Sequence, residues 1–421
     1  MKSFKFVHTA DLHLDSPFGG ISEVDEHVGE RLREATFETF DRIINLCLEH
    51  DVAFLLVAGD VYDGKDRSLR AQLRFRDGLI KLSKAGISTF VVHGNHDPLD
   101  SRIATIQWPE QAHVFEGNRV TYAPVIHKNK IIAHVYGISY PTQDVQRNLA
   151  KEFRRQKDSP FAIGLLHCNV GRNPGHEPYA PCTIEDLISA GMDYWALGHI
   201  HKHAVLSVEK PTVIYAGNPQ GLHPGELESR GCYLVEVSND GHCTPKFIPV
   251  DSVRWFSKEV NIEGFEDDEA IIASFEDACS SIRDESKGIP AVCRILFVGR
   301  GPAHHSLNKP GFVEDLTRRA RETEGNQNPF LWVERIQIET SSPLNIEALA
   351  KGEDFVADFL NLAAERRSDP AFLAEVQRNL ANLFGSRLGR SFLEPLGEDK
   401  LLHYLDAAQT RCLDLLTAER D

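Results

Sequence analysis

Thr89-Phe90-Val91-Val92-His93-Gly94-Asn95-His96-Asp97 decides how this chain is read. A short run that is apolar almost throughout is the mark of a strand covered on both faces. Directly after it stand a glycine, an amide, an imidazole and a carboxylate. The same device recurs through the first 250 residues. Phe4-Lys5-Phe6-Val7-His8-Thr9-Ala10 leads into Asp11-Leu12-His13, and Phe54-Leu55-Leu56-Val57-Ala58 into Gly59-Asp60-Val61-Tyr62-Asp63. Ile163-Gly164-Leu165-Leu166 ends in His167, and Tyr194-Trp195-Ala196-Leu197 in Gly198-His199-Ile200-His201. Between the first two runs, Leu32, Ala35, Thr36, Thr39, Phe40, Ile43, Ile44 and Cys47 recur at the three- and four-residue steps of a helix. A weaker stripe through Leu69, Leu73, Ile80 and Lys84 follows the second run. Strand-helix-strand alternation predicts an α/β sheet. Ligands bind such sheets at the carboxyl ends of the strands, where the polar clusters lie.

The remaining bounds are broad. With 421 residues, 42% of them hydrophobic and 26% charged, the chain is an ordinary globular composition with length for two or three domains. No run approaches the roughly 20 apolar residues of a membrane span, so no membrane partner is expected. The first residues run straight into a strand pattern without a signal-peptide core. Eight cysteines are scattered with no CxxC pair, which predicts free thiols in a reducing cytoplasm and no zinc ribbon. A formal net charge of -16 argues against a broad nucleic-acid surface, since phosphates are held by Lys and Arg. It leaves room for a local basic patch, and for a metal centre whose charge is outside that count.

The pattern changes near residue 251. Strand-like segments at 254–262, 291–298 and 331–338, with helical ones at 267–283 and 311–322, predict a small α+β domain over 251–342. The segment Gly299-Arg300-Gly301-Pro302 carries turn chemistry. From 343 to 421 strands give way to amphipathic helices. One runs through Phe355, Val356, Phe359, Leu362 and Ala363, and a second is opened by the Asp369-Pro370 cap pair. A third carries Leu401, Leu402, Leu405, Ala408, Cys412 and Leu415.

The chemistry lies in Asp11, His13, Asp60, Asn95, His96, His167, His199 and His201. Hard oxygen donors mixed with imidazoles suit a divalent first-row metal. Four or five such residues can hold one ion. Seven, leaving His96 aside, are what two ions need if one carboxylate bridges. Two ions about 3.5–4 Å apart can grip a phosphate ester from both sides and acidify a water. Taken singly, Asp-x-His, Gly-Asp and Gly-His-x-His are commonplace, and Gly-Asn-His-Asp can be a turn with an Asx cap. Their joint occurrence, each at a strand end, carries the reading. His8 and His93 read as core histidines and His203 as a surface one, while His176 sits in a Pro/Gly loop with a claim to substrate. Arg70, Arg74, Arg76 and Arg102 are candidates for phosphate contacts, against a default of solvated helix faces.

Asp11-x-His13, Gly59-Asp60-x-x-Asp63, Gly94-Asn95-His96-Asp97, His167 and Gly198-His199-x-His201 resemble the five motifs of the calcineurin-like metallophosphoesterases. The segments Ala10–Phe18, Asn173–Cys182 and Ala216-Gly217-Asn218-Pro219-Gln220-Gly221 are similar to the YhaO branch of the SbcD-type DNA repair exonucleases. The five motifs span roughly residues 5–205 and the branch-specific segments extend the likeness to about 250. Beyond that, only the order of elements matches the family's capping domain and helical tail.

The resemblance implies a sandwich of sheets flanked by helices (residues 1–250), a capping domain that helps steer DNA (251–342), and a helical C-terminal region (343–421). It implies two divalent metal ions, usually manganese, although the ligand set also accepts iron, zinc or magnesium. Asp11, His13 and His201 would hold the first, Asn95, His167 and His199 the second, and Asp60 would bridge both. His96 would steady the transition state or protonate the leaving oxygen, oriented by Asp63 or, instead, by Asp97. The implied reaction is in-line attack of a metal-bridging hydroxide on a phosphodiester, in a DNA exonuclease of DNA repair. The implied partners are DNA, an SMC-like coiled-coil ATPase docked on the C-terminal helices, and a second copy through helices of the first domain. The apolar stripes of the helices from 343 onward serve either partner docking, the favoured reading, or packing on their own body. Two other readings stand beside this one: a phosphodiesterase or phosphatase on small phosphate esters or nucleotides, and a non-catalytic scaffold that recruits the ATPase. The protein-phosphatase subtype is disfavoured, because Asp63 is followed by Gly64-Lys65 rather than Arg-Gly.

Overall fold

The computed structural model describes residues 2–16, 26–64, 68–101, 106–171, 177–343, 346–385 and 396–417. Arg102 and His176 lie outside these. Contacts divide the chain into two compact units. The first comprises Met1–Asn173, Glu177–Phe256 and Ser286–Val292, and the second the remainder.

The first unit is a two-sheet sandwich. In one six-stranded sheet, β1 (Phe4–Thr9), β2 (Phe54–Ala58), β3 (Ser88–Val92) and β4 (Ala112–Val114) run parallel in that order. Two further strands, Gly231–Val237 and Cys243–Pro249, add antiparallel beyond β1. The other sheet has the hairpin of β5 (Thr121–His127) and β6 (Lys130–Gly137) at one edge. Parallel strands β7 (Ala162–His167), β8 (Tyr194–Gly198) and β10 (Thr212–Tyr215) follow, and β9 (Ala204–Ser207) closes the other edge.

The continuous apolar runs have a plain cause, because each central strand buries both faces. Phe6, Leu56, Phe90 and Val92 point between the sheets and meet Val125, Val135, Ile163, Leu165 and Ala196 from the opposite sheet. The alternate residues Val7, Leu55, Val57 and Val91 face outward against helices α1 (Glu26–Glu49) and α2 (Leu69–Lys84). On the far side, Leu166, Trp195 and Leu197 are covered by Leu149, Phe153 and Leu187. The Phe6 and Phe54 rings stack at 4.9 Å between the sheets, and each such buried side chain contributes about 1.5–3 kcal/mol.

The predicted stripe of α1 is buried throughout, from Leu32 to Cys47. The helix at 69–84 forms, but its buried face is Ala71, Phe75, Gly78, Leu79 and Leu82, and Leu69 is 57% exposed. The reason is packing against α1: Phe75 meets Phe40 at 5.4 Å, and a side chain at Gly78 would collide with the Phe40 ring.

Strands Arg254–Asn261, Ala291–Arg300 and Leu331–Ser341 form a three-stranded sheet, most of whose residues belong to the second unit. Helices Asp268–Ser286 and Phe312–Glu324 accompany them. A short helix, Ala303–Leu307, occupies the stretch just after the segment read as a turn. Helices Phe355–Arg367, Pro370–Gly385 and Glu398–Thr417 follow, and Val356, Leu360 and Leu413 form a small core of their own. No helix among the described residues is long and apolar enough to cross a membrane.

Candidate active site

Strands β1, β2, β3, β7 and β8 end at a common edge, and the chain turns sharply there. Asp11, His13, Asp60 and His199 all have positive φ (49°, 43°, 48° and 96°). Such conformations are uncommon for non-glycine residues, are enriched in Asp and His, and cluster where geometry serves a site. They persist because the ladder continues beyond the strands. The amides of Asp11, His13 and Leu14 donate to the carbonyls of Gly59, Asp60 and Val61 at 3.0–3.1 Å.

His167 is the fully buried hub. Its Nδ1–H donates to the Ala58 carbonyl at 2.9 Å, which turns Nε2 toward the site. That nitrogen faces two oxygens, Asn95 Oδ1 at 2.9 Å and Asp60 Oδ2 at 3.3 Å. Asp60 Oδ2 is buried without a hydrogen bond of its own, and so is His13 Nδ1. Only a proton or a cation relieves this convergence of lone pairs. Burial disfavours charge on His167, yet Asp60 and Asp11 beside it outweigh burial and push its pKa up to about 9. Burial pushes Asp11 the other way, up to about 6. The pocket is therefore deficient in positive charge.

A second cluster lies alongside. His13 Nε2 and His201 Nε2 are 3.2 Å apart, and Asp11 joins them within 4.8 Å. Burial, chiefly, lowers the His13 pKa to about 4, so the ring is neutral near pH 7. Asp11, Asp60 and His167 form another group of the same tightness. Asp11 is common to both groups through its carboxylate, which also accepts the His199 amide at 3.0 Å.

His199 stands somewhat apart. Its Nε2 lies 2.9 Å from the Glu177 carbonyl and its ring centre 5.2 Å from that of His167. None of the tight groups among the described residues includes it.

His96 and Asp63 occupy the open side. His96 Nδ1 is 2.8 Å from Asp63 Oδ1, while Ser16 Oγ donates to Asp63 Oδ2 at 2.7 Å. The hydrogen bond to Asp63 raises the His96 pKa above the ordinary 6.5, and its side chain is 44% exposed. It is Asp63 rather than Asp97 that holds this ring. Asp97 is fully buried and accepts from the amides of Gly94 (2.7 Å) and Val61 (2.9 Å), with His93 Nδ1 at 2.8 Å.

The other histidines fall as their surroundings dictate. His8 is buried with Nδ1 3.0 Å from the Tyr194 hydroxyl, and burial lowers its pKa to about 3. His203 is half-buried and stacks on Phe247 at 4.0 Å. Arg70 pairs with Glu34 and lies over the Phe37 ring, Arg74 pairs with Asp41 at 3.0 Å, and Arg76 pairs with Asp77 at 2.8 Å.

Glu226 is a site residue that sequence reasoning missed. It is 4% exposed, and Oε1 lies 2.5 Å from His201 Nδ1. Burial pushes its pKa up, but the hydrogen bonds from His201 and His223 outweigh this and hold it well below the carboxylate range. It stands 25 residues after His201, with no local spacing to mark it.

A family model, Calcineurin-like phosphoesterase, matches residues 4–203, and a second, Metallophosphoesterase YhaO, middle domain, matches 255–341. Metallophosphoesterase YhaO of Bacillus subtilis is 38% identical over 344 residues, 82% of this chain and 84% of that protein. The DNA double-strand break repair protein Mre11 of Sulfurisphaera tokodaii is 27% identical over 57% of this chain and 61% of its own length. That of Methanococcus maripaludis is 25% identical over 56% and 64%.

Proposed function

Because the chain belongs to the calcineurin-like metallophosphoesterases of the YhaO type, we propose that this phosphoester hydrolase is a DNA exonuclease of DNA repair. Its resident cofactors are two divalent ions. The observation that carries this is the buried convergence of His167 Nε2, Asn95 Oδ1 and Asp60 Oδ2, the last without a hydrogen bond of its own.

Asp11, His13 and His201 would hold one ion and Asn95, His167 and His199 the other, with Asp60 between them. Manganese is our choice, and oxygen-imidazole sets also take iron, zinc or magnesium. When bound, the pair supplies Lewis acidity toward a phosphoryl oxygen and lowers the pKa of a water. The chain's own groups do the rest. The Ala58 carbonyl fixes the His167 tautomer. His96, whose pKa Asp63 raises, stands on the open side and would deliver its Nε2 proton to the leaving alkoxide. The likeness to Mre11 proteins, named for double-strand break repair, supports DNA as substrate.

The negative charge and the paired arginines bear on the partners. Arg70, Arg74 and Arg76 are each engaged with a carboxylate. A coiled-coil ATPase docked on the helices after 343 would then supply most of the grip on DNA, in the cytoplasm. The same pairing favours a second reading, hydrolysis of small phosphate esters. Labelled duplex and single-stranded DNA, bis-p-nitrophenyl phosphate and cyclic nucleotides, each with Mn2+, separate them. DNA cleavage lost in His96→Ala supports the nuclease, activity on small esters alone supports the second reading, and inertness overturns both.

A further inference from the structure

The segment Ala216–Gly221 was singled out in the sequence, and the chemistry above gives it no task. It opens the loop between β10 and the strand at Gly231–Val237. Several polar groups of that loop converge on His201. His201 Nδ1 lies 2.5 Å from Glu226 Oε1. Glu226 Oε2 accepts from Asn218 Nδ2 at 2.9 Å and from the Leu222 amide at 2.7 Å. His223 Nε2 reaches Oε1 at 3.3 Å, while its Nδ1 accepts from the Gly225 amide at 3.1 Å. Arg230 Nη1 ties the loop to the same residue from behind, donating to the His201 carbonyl at 2.5 Å and to Asn218 Oδ1 at 2.8 Å.

We infer that Glu226, held by the Asn218 amide and the Leu222 N–H, is a positioning residue for His201, and through it for one of the two metal ions only. The inference rests on the two-ion reading of the site. A carboxylate at Nδ1–H selects one tautomer and one ring orientation, and leaves Nε2 as the donor nitrogen. That nitrogen points to the cluster with His13 and Asp11, 3.2 Å from His13 Nε2. On the other side His167 is set by a backbone carbonyl, which no side-chain substitution in the loop removes. The two halves of the centre thus have separable supports.

Mn2+ titration of the full chain, followed by calorimetry and by electron paramagnetic resonance, tests this. Partner carboxylates of ligating histidines carry about 10–100-fold in metal affinity, so Glu226→Ala should weaken one of two binding events by that factor. The other should stay within twofold. Glu226→Gln keeps the volume but sets an amide against the donors of Asn218 and Leu222, and should weaken the same event. Melting of both metal-free variants close to that of the metal-free wild type separates positioning from scaffolding. Two unchanged events in either folded variant, or two that weaken together, overturn the inference alone. A wild-type chain that takes up no second ion overturns the two-ion reading and the inference with it.

Discussion

Gly94→Ala should place a single methyl against the two groups at the heart of the site. A Cβ at Gly94 would stand 2.3 Å from Asp60 Oδ1 and 2.7 Å from His167 Nε2. Both lie well inside contact distance, so one or both groups must retreat by about 1 Å, a displacement that costs on the order of 10²-fold in rate. Neither can retreat freely. Asp60 Oδ1 also accepts the His96 amide at 2.9 Å, and His167 is pinned to the Ala58 carbonyl at 2.9 Å. Overpacking of this kind costs about 1–3 kcal/mol of stability. Gly86→Ala is the control: it has positive φ (76°), no atom within 4 Å of an added Cβ, and lies at the end of α2 away from the strand ends. It should lose about 1–2 kcal/mol from backbone strain and keep its activity. The assay is Mn2+-dependent hydrolysis of bis-p-nitrophenyl phosphate with parallel melting curves. A Gly94→Ala enzyme within threefold of wild type would refute the close packing on which the site is built.

His96→Ala should lower turnover by about 10²–10⁴ while the bound metal stays unchanged; loss of metal would make His96 a ligand instead. Because Asp63 raises the His96 pKa above 6.5, its protonated form persists below that raised value and is lost as pH climbs through it. Turnover should therefore fall on the alkaline side, and Asp63→Asn should move that fall to lower pH; an unmoved profile contradicts the pairing. Asp97→Ala strips a buried acceptor from Gly94, Val61 and His93, and should cost about 3–5 kcal/mol in urea unfolding, as removal of one partner of a buried pair does. A loss under about 1 kcal/mol would exclude the role given to it.

The strand ends were legible because β1, β2, β3, β7 and β8 bury both faces and so read as largely apolar runs that stop where the polar clusters begin. The hairpin at 121–137 was not, since its outer face exposes Tyr122, Ile126 and Ile131 and breaks the expected alternation. The stripe of the 69–84 helix was misjudged by rotation, because the contact with Phe40 selects small Gly78 rather than Leu69. Asp63 and Asp97 were equally placed in sequence to serve His96. Only the fold turns one outward to the ring and the other inward to three backbone and side-chain donors. Glu226 reaches His201 by a return of the chain through the loop after β10, so no periodicity announces it.

The count of Mn2+ ions bound per folded chain at saturation, by equilibrium dialysis with elemental analysis, bears most directly on the site. The proposed two-ion site predicts two for the wild type and fewer for Asp60→Ala, which withdraws the buried carboxylate facing His167 Nε2. A wild-type chain that binds one ion or none, or an Asp60→Ala chain that still binds two with unaltered affinity, would contradict it.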